Sequence, residues 1–225
     1  MIAHQRLVAS DGYEVMLFPL PYLYMSQDEG GNYSHAGTLC MDFLGWGANG
    51  RIMRCPYYAP CTARLISSTG DPSTNMMIWQ SVDKVHLPNG SLDYVCWQFG
   101  HDNNPPYTTV GTIVQQGDVI GYTGTLGPGV TGDHVHYNVA QGTYAGGERV
   151  PPNNNWQFKN SIHIYDANYV NDTVIVQGYG HNWQTFGGPT PPPPVPPTPF
   201  GKGDFIVMFN NISRTKRKEV NLWRA

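Results

Sequence analysis

Apolar and polar positions alternate along this chain in short bursts separated by Gly, Pro, Asn and Asp. Met41-Asp42-Phe43-Leu44 and residues 61–66, 75–79 and 93–99 are four such runs. Val119-Ile120-Gly121-Tyr122-Thr123 and His134-Val135-His136-Tyr137-Asn138-Val139 are two more. Their length, β-branched and aromatic content and turn-forming flanks predict strands. Residues 168–177 add a candidate strand through Val174-Ile175-Val176. The apolar patch Val15 to Tyr22 contains Pro19 and Pro21, which argue for an extended or edge segment. Residues 146–165 read as polar and loop-like. The expected fold is mainly β: an antiparallel sheet or sandwich core with long loops forming a groove and few or no helices.

Composition supports this. Among 225 residues there are 26 Gly and 19 Pro, aromatics reach 12% and charged residues only 13%, as in a loop-rich β protein. The net charge of −3 gives no reason to expect nucleic acid as a partner. No apolar run approaches the roughly 18 residues of a membrane span. The first residues lack the basic, apolar and small-residue pattern of a signal peptide. Cys40, Cys55, Cys61 and Cys96 form no tight pair and are expected as free, mostly buried thiols, with a Cys55–Cys61 bridge unsupported.

Residues 189–199 hold eight prolines in eleven positions, a polyproline II spacer of about 30 Å. Beyond it, residues 201–225 carry six Lys/Arg and two Asp/Glu, a net +4 that leaves −7 on the remainder. The expected organisation is an N-terminal extension (1–30) packing on the core, a domain over 31–188, the linker 189–199 and a short basic tail over 200–225.

Chemistry concentrates in Gly132-Asp133-His134-Val135-His136-Tyr137-Asn138. On a strand, His134 and His136 share a face. Neutral imidazole is a common zinc ligand and a general acid or base near neutral pH. Asp42, inside an apolar run, is costly to bury unless paired or bound to metal. Taken alone, His35 also reads as a surface loop residue and Asp42 as a turn cap.

The ordered set of motifs over roughly 31–145 resembles the LytM/lysostaphin-type zinc endopeptidases, the M23 peptidase family. It comprises His35 with Asp42, then Tyr57-Tyr58-Ala59-Pro60-Cys61-Thr62-Ala63, then Phe99-Gly100-His101. It continues with Val114 to Gly124, similar to "vkkGqvIGxxG", and Thr131 to Tyr137, similar to "tGpHlHfe". The resemblance implies Zn2+ as cofactor, with His35, Asp42 and His136 as metal ligands. It implies His101 and His134 as unligated catalytic histidines that orient water, move its proton and stabilise the oxyanion. Zinc would polarise the carbonyl and acidify the water. The implied substrate is a stem peptide or cross-bridge of bacterial peptidoglycan.

One departure stands out. Six residues separate His35 from Asp42, where the family usually has three. An offset of seven puts the two side chains on opposite strand faces, so the chain between must bulge or loop, with Gly37 a candidate place. This spacing is similar to that of wall-degrading enzymes at podophage tail tips. Asp28 and Glu29 are alternative carboxylates. His86 reads as an ordinary sheet or loop histidine, and His163 and His181 as surface residues. Tyr107, Tyr137 and Trp97 read as core or groove-lining, and Asp133 as turning the loop into the last strand. The expected setting is a phage enzyme on the virion, acting at the host wall and partnered by tail proteins through the linker and tail. A free endolysin and a non-catalytic wall-binding module are the alternatives.

Overall fold

The computed structural model describes residues 6–32, 34–68, 75–104 and 109–187. Tyr107, the proline run and the basic tail lie outside the described residues. A mixed, mainly antiparallel eight-stranded sheet forms the centre. Its spatial order is Ile113–Val114, Ala63–Ser68, Met77–Ser81, Val95–Gly100, Val135–Gln141, Met41–Phe43, Tyr22–Gln27 and Val174–Gln177. Neighbours are antiparallel except the last pair, which is parallel. The predicted strands are present within about two residues.

Strand alternation divides the sheet into two functions. Val95, Trp97 and Phe99 point to one face with Val135, Tyr137, Val139, Met41 and Phe43, and all are buried in one cluster. Trp97 lies opposite Trp79 on one side and Val139 on the other. The pair Pro56–Tyr58/Val119–Tyr122 closes this core from outside the large sheet, with the Tyr57 ring 4.6 Å from Phe99 and Phe99 4.8 Å from Tyr137. Burying one side chain of phenylalanine size stabilises by about 1.5–3 kcal/mol. Trp97 and Tyr137 are thus core residues. The N-terminal patch joins the same core: Met16, Phe18, Leu20 and Leu23 are fully buried in it.

The opposite sheet face carries Ser67, Ile78, Gln98, His136 and Asp42, set in neighbouring rows by register. This face is the floor of the cleft described below. Part of it is covered by a hairpin, Gly147–Val150 with Asn155–Phe158, whose Phe158 packs on Ile78, Cys96 and Ala140. Residues 146–165 are therefore not the loop that their polarity suggests; the hairpin is followed by a one-turn helix, Ile164–Ala167. Only Trp156 and Phe158 of the second hairpin strand are large and apolar, so the period-two signal is weak. The four cysteines are free and buried.

Candidate metal centre

Strand register assembles most of the site. His136 lies directly opposite Asp42 on one neighbouring strand and Gly100 on the other, which brings His101 to the same end of the sheet. His134 precedes that strand and is fixed by a two-way backbone bridge with Gly124, at 2.9 and 3.0 Å. Gly124 must lack a side chain, because a Cβ there would lie 2.1 Å from the His101 carbonyl. His101 itself has φ +74°, a left-handed backbone rare for a side-chain-bearing residue and concentrated at functional sites.

His35 arrives differently. It sits off the sheet, in the loop that the long spacing to Asp42 requires. Thr38 closes a turn on the His35 carbonyl through its amide (2.8 Å) and hydroxyl (3.0 Å). Gly37 has φ +79°, and a Cβ there would lie 2.0 Å from the Pro151 carbonyl oxygen. The 147–158 hairpin braces this loop: Asn155 donates to the Ala36 carbonyl (3.1 Å), and the Leu39 amide donates to Gln157 (3.3 Å). The six intervening residues are thus accommodated by a loop seated on an element that the sequence did not reveal.

The result is a convergent set of three atoms. His35 Nε2 lies 3.2 Å from Asp42 Oδ1, His136 Nδ1 lies 3.1 Å from the same oxygen, and the two nitrogens are 3.3 Å apart. Ligands held about 2.0–2.1 Å from a tetrahedral zinc stand about 3.3 Å from one another. Two imidazole nitrogens and a carboxylate oxygen in this triangle fit that ion.

Hydrogen bonding sets the tautomers. His35 Nδ1 faces the Asp28 carbonyl (3.2 Å), His101 Nδ1 the Leu126 carbonyl (2.7 Å) and His134 Nδ1 the Gly132 carbonyl (2.7 Å). A carbonyl only accepts, so each Nδ1 carries the hydrogen and each neutral ring presents an Nε2 lone pair. The His35 lone pair then faces an Asp42 oxygen, an arrangement that calls for a cation between them. Burial opposes ionisation of Asp42, but its close contacts with the His136 and His35 rings outweigh it and hold the carboxyl well below the usual range. Burial also lowers His136. His101 is lowered to about 4 by burial and by the nearby His136 and His134 rings, so it is neutral at pH 7.

His101 and His134 flank the triad, their ring centroids 4.6 Å apart, with His134 Nε2 3.5 Å from Asp42 Oδ2. All but His35 of these five residues line an open cleft of about 960 Å³, walled by Arg51, Met76, Tyr144, Arg149 and Trp156. His35 is fully buried behind it.

Two supporting carboxylates hold the walls. Asp102, fully buried, pairs with Arg54 (2.9 Å) and accepts from the Tyr122 amide (2.8 Å), anchoring the turn that follows His101. Asp133 accepts from the Thr123 hydroxyl and the Arg54 amide, fixing the entry to His134. The signal for Asp102 in the sequence was its place beside His101. Asp28 and Glu29 do not reach the triad with their carboxylates; they pair with His181 (2.8 Å) and His163 (2.7 Å). His86 pairs with Asp11 (2.9 Å), away from the cleft.

No family model matches the chain. Morphogenesis protein 1 of Bacillus phage B103 is 36% identical over 177 residues, which cover 78% of this chain and 46% of that protein. The chain thus spans about half the length of this curated relative. Similar solved structures include the catalytic domain of the prophage-encoded M23 protein EnpA from Enterococcus faecalis, at 16% identity and TM-score 0.43, covering 66% of this chain and 93% of that one. The lysostaphin catalytic domain from Staphylococcus simulans aligns at 15% identity and TM-score 0.39, covering 54% and 80%. A zinc-containing peptidase from Vibrio cholerae aligns at 17% identity and TM-score 0.41, covering 60% and 43%.

Proposed function

We propose that this chain is a zinc endopeptidase that hydrolyses peptide bonds in bacterial peptidoglycan and works as part of a phage particle. One observation carries the reading. His35, Asp42 and His136 present three ligand atoms at tetrahedral spacing, and the His101 and His134 rings stand beside them in an open cleft. The phage setting is supported by the similarity to a phage protein named for morphogenesis.

Zinc held by these three residues would supply a Lewis acid that polarises the scissile carbonyl and acidifies a water. The chain supplies the rest. Asp42 stays ionised and fixes both ligand rings. His101, neutral at pH 7 with its Nε2 free, accepts a proton. His134, held through Nδ1 on Gly132, directs Nε2 to the same space and donates to the developing oxyanion once protonated.

The cleft also selects. Among its described lining residues the charged side chains besides histidine are Arg51, Arg149 and Asp42. Asp42 is committed to the triad, so two guanidinium groups face substrate in a body of opposite net charge. Arg51 is fixed by donating to the Asp133 carbonyl (3.0 Å), one residue from His134. This favours a stem peptide bearing carboxylates over an uncharged glycine bridge.

The test is zinc content of the full chain together with mass spectrometry of fragments released from purified walls of both cross-link types. About one equivalent of zinc and peptide cleavage in stem-linked walls are expected. Less than about half an equivalent, with no lysis on adding zinc, rejects the enzyme reading.

A further inference from the structure

The chain carries a second gathering of histidines and carboxylates, beside the metal centre and outside the cleft. His163, Tyr165 and His181 stack nearly parallel, at 4.9 Å and 14° for the first pair and 4.5 Å and 15° for the second. Each of the three grips an adjoining acidic corner or a partner that does. His181 Nε2 lies 2.8 Å from Asp28 Oδ1, His163 Nδ1 lies 2.7 Å from Glu29 Oε2, and the Tyr165 hydroxyl donates to Glu29 Oε1 at 3.2 Å. The stack is tied to the core through Trp183, whose ring is 5.6 Å from Phe18 and 6.4 Å from Phe43, the neighbour of Asp42.

The Asp28 carbonyl accepts from His35 Nδ1, and that bond fixes which nitrogen of His35 faces the metal position. Partners of this kind orient a ligating histidine and raise its basicity. Asp28 lies in a turn just past the strand Tyr22–Gln27. The Gly31 amide also donates to the Asp28 carbonyl, but at 3.3 Å it is a long bond that leaves the turn room to shift. Clamping both carboxylates fixes the turn, and with it the aim of the carbonyl at His35.

We propose that His181 and His163 are positioning residues for the metal centre: with Tyr165 they clamp Asp28 and Glu29 so that the Asp28 carbonyl stays aimed at His35. The inference rests on the zinc reading above and extends it to a segment, 163–183, that lies outside the motif-bearing stretch.

The experiment measures zinc affinity of the full chain by competition with a chelator, alongside the melting temperature of the zinc-free protein. His181→Ala should weaken zinc about 10-fold, and the double change with His163→Ala somewhat more, with the roughly 100-fold seen when direct outer partners of metal ligands are removed as the upper limit. His181→Gln, whose amide can still donate to Asp28, should restore binding to within about threefold. Tyr165→Phe, a smaller perturbation that removes one hydrogen bond, should weaken zinc about two- to fivefold, and keeps the test open should the alanine variants not fold. Zinc affinity unchanged in Tyr165→Phe and in the histidine variants overturns the clamp. So does a loss of affinity matched by an equal loss of zinc-free stability. If the unaltered chain takes up no zinc, the metal reading fails first and the clamp with it.

Discussion

Two clusters of histidine and carboxylate sit side by side in this molecule, and they are built on opposite rules. At the acidic corner every carboxylate has its own ring: Asp28 with His181, Glu29 with His163. Each carboxylate has its own hydrogen-bond partner, and the rings stack with Tyr165 between them. At the metal centre one carboxylate faces three rings, and the atoms of His35, His136 and Asp42 converge on a single point. Pairing satisfies itself; convergence leaves a deficit that a cation would fill. Residue types alone do not distinguish the two clusters. Geometry does.

The largest effect that tests this contrast is loss of a convergent atom. His136→Ala should abolish zinc uptake and reduce wall lysis to background, read by metal analysis and turbidity. If it retains a full equivalent of zinc, the triangle is not the metal site. His134→Ala should keep most of the zinc but lower activity by about 10²–10⁴, the usual contribution of a positioned acid or base. If that variant comes out metal-free, its role belongs with the ligands.

Gly37 tests the route by which His35 enters the triangle. Gly37→Ala places a methyl group against the Pro151 carbonyl at a positive φ. It should cost about 2–4 kcal/mol of stability in denaturant unfolding and weaken zinc as well. An alanine variant of native stability would mean that the loop has room the structure does not show.

Much of this was legible in the sequence, for reasons that differ along the chain. The strands around Trp97, Val119 and His136 carry a period of two, and the structure has them. The five residues His35, Asp42, His101, His134 and His136 lie in ordered motifs, and the structure gathers them at one end of the sheet. What escaped were contacts between distant loops. The hairpin at 147–158 is polar on its outward positions, so nothing announced it as the brace for the His35 loop. His163 and His181 read as surface residues because neither sits in a periodic run, and their partners Asp28 and Glu29 lie more than 130 residues away. The spacing predicted a loop between His35 and Asp42, but not what would hold it.

The smallest effect concerns charge that lines the cleft against charge that is paired away from it. Arg51 points into the cleft with its guanidinium fixed to a backbone carbonyl rather than to an acid. Arg51→Ala should raise KM for a carboxylate-bearing peptide about 5–10-fold with little change in kcat, because it removes binding shared by ground and transition states. The penalty should shrink as salt is added, since an exposed pair is screened over a Debye length of about 10 Å at 0.1 M. Asp11→Asn, which breaks the His86–Asp11 pair away from the cleft, should leave KM where it was. A KM change of equal size in both variants would mean that the cleft reads overall charge. A change confined to Arg51→Ala assigns the reading to the guanidinium held on the Asp133 carbonyl, one residue from His134.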